Sequence, residues 1–413
     1  MDQRIVAEYI LRTAGDPHRV ADIIAGEQSS GTFIAIPGES EELKARSAAT
    51  VDRLEEIEDS GLPMLPGAIG EAPRSYRMTL SWPLANVGPS LPNLLATLAG
   101  NLFELREVAG LKLVDLRLPP AFADRYPGPA FGVEGTRQLT GVVDRPVIGT
   151  IIKPSIGLNP AETAALVDQL CDGGIDFIKD DELQADGAIC PFEERLAAVT
   201  TVIARHAERT GRKVMYAVNL TGEIDEMLRR HDQVEAAGGT CVMVSLNSVG
   251  LTGLTALRRH ARLPIHAHRN GWGYLGRSPD NGWSYVAWQK IWRLAGVDHM
   301  HVNGLANKFW EPDDSVVASA KACLTPLSPA RPDVVMPVFS SGQSVKQAEG
   351  TWRHLGSPDL IYCAGGGIVA HPSGIAAGVR SLREAWDAAM QGVPLQEAAA
   401  ASPDLAVAVK TFA

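Results

Sequence analysis

The chain of 413 residues has only five cysteines, and none of them forms a Cys-x-x-Cys pair. They are Cys171, Cys190, Cys241, Cys323 and Cys363. An odd number at wide spacing argues against a disulfide framework or a zinc knuckle and fits a reducing compartment. The chain also lacks an apolar run of about 18 residues, and its charged N-terminus lacks an apolar signal segment. We therefore expect a cytoplasmic protein that is not inserted in a membrane.

Positive charge is also scarce, because the chain has 38 lysines and arginines but 48 aspartates and glutamates. The net charge of −10 repels polyanions, so we expect no nucleic-acid partner. Apolar residues make up 45% of the chain and charged residues 21%, with no biased tract, which excludes disorder, collagen-like repeats and coiled coils. The length suits either two domains of ordinary size or a small domain together with one of barrel size.

The first part of the chain mixes helical and strand patterns, which is typical of an α+β domain. Its predicted elements are a helix at 41–58, a strand at 75–82 and an amphipathic helix at 91–107. The proline-rich stretch 118–129 continues neither a helix nor a central strand. We therefore predict an α+β domain at 1–125 and a second domain at 126–413.

The second domain alternates short β-branched runs with helical stretches. The predicted strands are 147–152, 175–179, 213–220, 240–246, 264–269, 298–303, 334–340 and 359–364. Strands that are each followed by a helix imply a parallel sheet, and eight such units about 30 residues apart indicate a closed (β/α)8 TIM barrel. An open doubly wound sheet is the structural alternative, but it gives no reason for eight strands.

Chemistry in such a barrel lies at the carboxyl ends of the strands, where polar residues are therefore informative. The second strand ends in the run Lys179, Asp180, Asp181 and Glu182. Carboxylates suit a hard cation such as Mg²⁺, and a desolvated lysine amine can take up CO₂ as a carbamate that adds an anionic oxygen. A solvated acidic turn is the simpler alternative for the same residues.

Other strand ends carry residues suited to phosphate. The eighth strand leads into three glycines at 365–367, which form either a tight turn or a cradle of backbone N–H groups. Ser340 and Gly342 on the neighbouring strand support the cradle, and Arg269 suits a second phosphate or a carboxylate. Of the two histidines on the sixth strand, we expect one to face inward and one outward, with His299 the structural residue rather than His301.

Five segments of the predicted barrel resemble the large subunit of RuBisCO in order and spacing. They are 149–154, 173–182, 266–269, 298–301 and 365–372, and the first domain adds 27–33 and 100–101. The resemblance spans most of the chain. It implies an α+β, ferredoxin-like N-terminal domain followed by an eight-stranded α/β barrel, in agreement with the pattern described above.

By position in these motifs, the resemblance implies a metal site and two phosphate sites. Lys179 is similar to the carbamylated lysine, with Asp181 and Glu182 as the Mg²⁺ ligands. The implied catalytic residues are Lys153, Lys179, His268, Asn101 and Lys308. One implied phosphate site consists of Arg269, His301 and Ser340, and the other of Thr32, Gly342, Gly365 and Gly366.

Several positions depart from the pattern of the CO₂-fixing enzymes. Ser155 stands where the carboxylases have a second lysine, and Phe33 stands where they have a tryptophan. Trp272 replaces a histidine, and the loop 302–307 before Lys308 lacks the carboxylase sequence. The chain is therefore identified as a member of the RuBisCO-like (form IV) proteins that does not fix CO₂.

The implied site favours chemistry next to a carbonyl, with Mg²⁺ holding the enediolate oxygens of a small phosphorylated substrate. RuBisCO-like relatives include enolases and isomerases of methylthio-ketose phosphates and decarboxylases of 3-oxo sugar-acid phosphates. All of them form an enolate, so the sequence leaves both options open. A true ribulose-bisphosphate carboxylase and a non-catalytic scaffold or regulator are the remaining alternatives.

The resemblance also implies a homodimer with active sites at the subunit interface. In this family the N-terminal domain of one subunit covers the barrel mouth of its partner. Glu27, Thr32 and Asn101 precede the barrel and match the motifs that make this contribution. A two-fold contact of this kind completes two sites with one surface patch.

Overall fold

The computed structural model describes residues 3–31 and 37–412, and the statements on structure below refer to these residues. The strands are β1 (Arg4–Thr13), β2 (Thr50–Ile57), β3 (Arg74–Pro83), β4 (Gly110–Arg117), β5 (Val147–Ile151), β6 (Phe177–Lys179), β7 (Met215–Asn219), β8 (Cys241–Ser245), β9 (Ile265–His268), β10 (Asn281–Trp283), β11 (His299–His301), β12 (Met336–Phe339) and β13 (Ile361–Cys363).

The helices include several of a single turn. They are α1 (Pro17–Glu27), α2 (Glu41–Ser47), α3 (Leu84–Val87), α4 (Leu91–Ala99), α5 (Pro120–Ala123), α6 (Gly132–Thr140), α7 (Pro160–Asp172), α8 (Phe192–Thr210), α9 (Ile224–Ala236), α10 (Leu246–His260), α11 (Trp272–Gly276), α12 (Tyr285–Ala295), α13 (Asp313–Leu324), α14 (Ala348–Leu355), α15 (Gly366–Val369), α16 (Ile375–Gln391), α17 (Leu395–Ala401) and α18 (Pro403–Thr411). Among the described residues, none of these helices has the length and hydrophobicity needed to cross a membrane.

One compact unit comprises Met1–Pro127 and Gly271–Leu294. Its sheet has the strand order β10-β4-β1-β3-β2, with β1 antiparallel to both of its neighbours and β10 parallel to β4. Alternate residues of β1, such as Ile5 and Tyr9, are fully buried, as expected for a sheet with one covered face. The mixed sheet with flanking helices confirms the predicted α+β class.

Two predicted elements of this unit are wrong in part. The helix predicted at 41–58 ends at Ser47, and the rest of that segment is the edge strand β2, paired with β3. A charged, half-exposed strand at a sheet edge carries little apolar periodicity, so pairing with a neighbour overrides the helical pattern. The helix predicted at 91–107 ends at Ala99 and is followed by the 3₁₀ turn Asn101–Glu104. The strand predicted at 75–82 is confirmed in β3.

The other unit, Gly128–Asn270 with Ala295–Ala413, contains a closed parallel barrel with the strand order β5-β6-β7-β8-β9-β11-β12-β13. All eight predicted barrel strands are present, and the pairing of β13 with β5 closes the sheet. The prediction of a TIM barrel is therefore confirmed. The predicted division between residues 125 and 126 stays a prediction.

The barrel interior is packed with side chains from alternate strand positions. Its apolar part consists of Val142, Val147, Phe177, Met215, Ala217, Cys241, Met243, Met336, Val338, Ile361 and Cys363. Two adjacent strands, β9 and β11, instead carry histidines at the equivalent inward positions. In the strand register, His266 pairs with Met243 and His299 pairs with Met336, and both methionines belong to the apolar interior. The same alternation brings Lys179, Asn219 and His268 inward at the carboxyl ends of their strands.

Candidate functional site

Lys179 is the last residue of β6, and its side chain is only 1% exposed. Its Nζ donates to the main-chain oxygen of Asp180 at 2.7 Å and lies 3.5 Å from Oε2 of Glu182. Burial lowers the pKa of this amine, against the opposing effect of the neighbouring carboxylates. A lysine with a lowered pKa supplies the neutral amine that carbamate formation needs.

Asp181 is buried beside a second lysine. Its Oδ2 accepts a hydrogen bond from Nζ of Lys153 at 2.7 Å, and the same Nζ donates to Oγ of Ser155 at 2.8 Å. Lys153 follows β5, and its side chain is 39% exposed. The partly exposed side chain of Lys153 thus lies against the buried carboxylate of Asp181 at the mouth of the barrel.

Glu182 and His268 form the third part of this cluster, with Oε2 and Nε2 3.4 Å apart. Burial opposes ionisation of Glu182, but nearby positive charge, led by His268 and Lys179, lowers the pKa of this carboxyl to about 2. Burial and the charge of Lys179 lower the pKa of His268 to about 4. The imidazole is therefore neutral near neutral pH, and the lysines then provide the charge that keeps Glu182 ionised.

The cluster fits a magnesium ion and a carbamate by charge and by donor type. Asp181 and Glu182 offer the oxygen ligands that Mg²⁺ prefers, and both carboxylates already lie beside lysine ammonium groups. A carbamate on Lys179 would change this side chain from a cation to an anion. A divalent cation would then restore the balance of charge within the cluster.

Asp180 is separated from its two acidic neighbours, although the sequence places it in the same run. Its Oδ2 accepts from the backbone N–H of Asn219 at 2.9 Å and from Nε of Arg195 at 3.3 Å. Its Oδ1 accepts from the hydroxyl of Tyr216. Both the Asp180 and Arg195 side chains are fully buried, so this carboxylate fixes β6 against β7 and α8 and does not face the mouth.

A chain of hydrogen bonds runs through the barrel interior. Oγ1 of Thr136 donates to the main-chain oxygen of Gly132 and therefore accepts from Nε2 of His299 at 2.8 Å. Nδ1 of His299 then accepts from Nδ1 of His266 at 3.3 Å. Nε2 of His266 accepts from Nε2 of His301 at 2.8 Å. The three imidazoles are thus assigned as neutral, each with one donating and one accepting nitrogen.

The expectation that His299 and His301 face opposite sides is wrong. Residues two positions apart on a strand share a face, and both rings point into the barrel, where each contacts His266. Oγ of Ser340 lies 3.0 Å from Nδ1 of His301, which in this arrangement is the acceptor. Among the three residues expected at the first phosphate site, Arg269 therefore carries the positive charge.

We predict that these histidines make folding stability depend on pH. Burial lowers the pKa of all three, that of His299 to about 3 from its ordinary 6.5. Below pH 6.5 the unfolded chain binds protons that the folded barrel does not, so stability falls as pH decreases from 6.5 toward 3. Each site contributes up to about 1.4 kcal/mol per pH unit.

The measurement is the free energy of unfolding by urea at pH 7.5, 6 and 5. As pH decreases, the free energy of unfolding of His299→Gln should fall by about 1 kcal/mol less per pH unit than that of the unsubstituted chain. The matched control, His354→Gln, replaces an exposed imidazole on α14. Its free energy of unfolding should fall with pH as steeply as that of the unsubstituted chain. An equal pH slope for His299→Gln would contradict the assignment of His299 as a buried neutral group.

Arg269 is held by a residue that the sequence did not indicate. Its Nη2 donates to Oε2 of Glu311, a buried carboxylate ten residues after His301 in the chain. The same oxygen accepts from Nδ2 of Asn303 at 2.7 Å. Glu311 lies in the run Phe-Trp-Glu-Pro, which has no pattern typical of a functional site.

The glycines of the second expected phosphate site leave the backbone accessible. Gly342 has a φ of 87°, a conformation that other residues rarely adopt. A Cβ on Gly366 would meet no atom within 4 Å, and one on Gly365 would lie 3.8 Å from Cε of Lys153. The structure therefore brings Gly365 next to Lys153 at the mouth of the barrel.

Of the remaining expected residues, Lys308 lies beside Gly342 of the second expected phosphate site, since a Cβ on Gly342 would be 3.6 Å from Cβ of Lys308. Lys308 is exposed, its backbone N–H donates to the main-chain oxygen of Ser341 at 3.2 Å, and its Nζ lies 5.2 Å from the ring centre of Phe309. In the first unit, Nδ2 of Asn101 donates to Oε1 of Glu27 at 3.3 Å. Thr32 lies outside the described residues.

Comparison with known proteins adds the following findings. The catalytic-domain model of the ribulose bisphosphate carboxylase large chain matches residues 132–412, and its N-terminal-domain model matches residues 1–122. A 3-oxo-isoapionate-4-phosphate transcarboxylase/hydrolase of Xanthobacter autotrophicus is 58% identical over 408 residues, 98% of each chain. A 3-oxo-isoapionate-4-phosphate decarboxylase of Rhizobium rhizogenes is 45% identical over 412 residues, 99% of this chain and 98% of the relative. The crystal structure of a RuBisCO-like protein from Burkholderia fungorum has a TM-score of 0.93 at 48% identity and 99% coverage of both chains.

Proposed function

The chain belongs to the ribulose bisphosphate carboxylase large-chain family as a RuBisCO-like enzyme, and we propose that it removes the carboxyl group of 3-oxo-isoapionate 4-phosphate in the cytoplasm. The cluster of Lys179, Asp181 and Glu182 at the barrel mouth carries this proposal, because it combines a buried amine with two carboxylates. Of the two reactions that the sequence leaves open, the names of the two relatives favour carboxyl removal over isomerisation.

The chemistry follows from the position of the substrate carbonyl. In a 3-oxo acid, the bond to the carboxyl carbon breaks when its electron pair moves toward the ketone oxygen, which leaves an enolate. Lys179 as its carbamate, Asp181 and Glu182 would hold Mg²⁺, which supplies positive charge to stabilise the enolate oxygen. A substitution at any one of these three residues is therefore expected to abolish the function of the whole site.

Other residues of the cluster act on protons and on the phosphate. Nδ1 of His268 accepts from the backbone N–H of Asn270 at 3.2 Å, so the neutral ring carries its proton on Nε2, toward Glu182. Lys153, whose side chain is partly exposed at the barrel mouth, would return a proton to the enolate carbon. Arg269, which belongs to the first of the two implied phosphate sites, would hold the single phosphate of the substrate.

We predict that the carboxyl carbon of the substrate is lost and that no CO₂ is fixed. With 3-oxo-isoapionate 4-phosphate labelled in its carboxyl carbon, the label should appear as CO₂ or bicarbonate. An assay with and without carbonic anhydrase identifies which form leaves first, and so separates a decarboxylase from a hydrolase. With ribulose 1,5-bisphosphate and labelled CO₂, no fixed label is expected. Label retained on a substrate that exchanges deuterium with solvent would instead support an isomerase, and fixation at a carboxylase rate would refute the proposal.

The proposed assembly is a homodimer in which each N-terminal unit completes the barrel of its partner. Asn101 and Glu27 support it, because their hydrogen bond places two residues of the matching motifs in one polar patch of the first unit. A two-fold arrangement would bring that patch to two barrels at once. It would also shield the enolate from water.

We predict that two inactive variants restore activity when mixed. Asn101→Ala should lack the contribution from the N-terminal unit and Lys179→Ala the metal site, yet a mixed dimer retains one intact site. Random exchange should then recover about a quarter of the wild-type turnover. Activity is measured after exchange has been verified with subunits of different mass. A mixture that exchanges but stays inactive would show that the sites are not shared.

A further inference from the structure

Ser245 carries a buried hydroxyl group that makes no hydrogen bond within the described part of the chain. It is the last residue of β8 and is 1% exposed. Ser245 also directly precedes α10, where a serine commonly caps the helix through its side chain, but its Oγ does not cap this helix. Because an unpaired polar atom in the interior is costly, this hydroxyl calls for a functional explanation.

The side chain of Ser245 points into the barrel near its mouth. Successive side chains of a strand alternate between its two faces, so Ser245 shares the inward face with Met243 of the barrel interior. In the strand register, Met243 pairs with His266 and Ser245 pairs with His268. The unpaired hydroxyl therefore lies one inward position nearer the mouth than the buried Met243, beside His268 of the Lys179 cluster.

Asn270 adds a second unpaired atom next to His268. Its Oδ1 is buried, and no described residue donates to it. The backbone of Asn270 is held firmly, because its N–H donates to Nδ1 of His268 at 3.2 Å and its main-chain oxygen accepts from Nδ2 of Asn247 at 2.8 Å. Asn247 follows Ser245 by two positions, so this contact joins the segments that follow β8 and β9. One hydroxyl and one amide oxygen thus remain available for a ligand near the ring of His268.

The backbone of Ser245 fixes its position relative to the metal cluster. Its N–H donates to Oγ1 of Thr221 at 3.0 Å, and this hydroxyl donates to Oδ1 of Asn219 at 2.7 Å. Nδ2 of Asn219 donates to the main-chain oxygens of Asp181 and Glu182, each at 3.3 Å. These hydrogen bonds connect the ends of three strands, so the Ser245 side chain starts from a fixed point beside the residues that would hold Mg²⁺.

We propose that Ser245 and Asn270 form a subsite that binds a hydroxyl group of the sugar-acid substrate and makes the enzyme select hydroxylated 3-oxo acids. Oγ of Ser245 can donate and accept, whereas Oδ1 of Asn270 only accepts, so the pair suits an alcohol, which also donates and accepts. An ionised carboxylate has no proton to donate to Oδ1. The inference rests on the proposed function, because it takes the substrate to be a sugar acid.

The first test measures binding of the 3-hydroxy analogue of the substrate, which has no ketone and therefore cannot lose its carboxyl group. In calorimetry, Ser245→Ala and Asn270→Ala should each bind this analogue about fivefold more weakly than wild type, because a ligand hydroxyl loses its partner. Asn270→Ala keeps both backbone contacts of Asn270. In the free enzyme, Ser245→Ala should leave the urea midpoint of unfolding unchanged or raise it, since the removed hydroxyl has no partner among the described residues. A purely structural hydroxyl would instead lower the midpoint when removed.

The second test compares kcat/KM for 3-oxo-isoapionate 4-phosphate with kcat/KM for analogues in which one hydroxyl group at a time is replaced by hydrogen. Wild type should disfavour at least one analogue by about tenfold or more, and Ser245→Ala should lose most of this preference. The matched control, Ser319→Ala, removes another buried hydroxyl, which donates to the main-chain oxygen of Ser315 on α13. It should keep the affinity and the preference of wild type.

The outcomes separate the subsite from the proposed function. If wild type turns the substrate over while folded Ser245→Ala and Asn270→Ala keep its affinity and its preference, the subsite is overturned and the proposed function stands. If wild type neither binds the 3-hydroxy analogue nor turns the substrate over, the proposed function fails, and the subsite fails with it.

Discussion

Replacing Lys179 with alanine is expected to reduce turnover by at least about a thousandfold, because the change removes the amine that would carry the carbamate. Asp181→Asn should have a similar effect, since it removes the charge of a ligand from a site for a hard cation. Turnover of 3-oxo-isoapionate 4-phosphate is measured with saturating Mg²⁺ and bicarbonate. Chelation by EDTA should reproduce both losses in the wild-type enzyme, and added Mg²⁺ should reverse the effect of EDTA.

Metal binding provides a readout that is separate from turnover. Calorimetry with Mg²⁺ in the presence of bicarbonate should detect a site in wild type that is lost in both variants. Glu349→Gln serves as the control, because its carboxylate is exposed on α14, outside the Lys179 cluster. Full activity of Lys179→Ala in EDTA would exclude both the carbamate and the metal from the reaction.

Asp180→Asn is expected to lose about 3–5 kcal/mol of folding stability, because it leaves the buried charge of Arg195 without its carboxylate partner. Arg195 and Asp180 are both inaccessible to solvent. Asp181→Asn, one position along, should cost about 1 kcal/mol or less in the metal-free protein, since its partner Lys153 is partly exposed. Urea unfolding of the metal-free variants measures both values.

A double variant tests whether the lost stability comes from the unbalanced charge of Arg195 or from the altered side chain at position 180. Asp180→Asn combined with Arg195→Met removes both charges and should regain part of the lost stability, because an uncompensated buried charge is more costly than an apolar pair. Equal stability of Asp180→Asn and the wild type would show that the contact with Arg195 contributes little. If Asp180→Asn is insoluble while Asp181→Asn is soluble but inactive, this result also agrees with the larger loss of stability expected for Asp180→Asn.

The sequence was sufficient for the architecture and for the grouping of Lys179, Asp181 and Glu182 at one strand end. Eight β-branched runs at barrel spacing predict eight strands, and all eight are present, since period and spacing are local properties of the chain. Lys179, Asp181 and Glu182 are three positions apart at most, so a single strand end keeps them together whatever surrounds it. The order of motifs then indicates the family.

Tertiary structure alone decided which side chain faces which way and which distant groups meet. The run of acids after Lys179 gives no sign that Asp180 points toward Arg195 while Asp181 points toward Lys153. The segment 50–57 has a helical charge pattern but forms a strand because β3 offers an edge to pair with. Glu311 meets Arg269 across 42 residues of sequence, and a contact between distant segments depends on the closed barrel, not on local pattern.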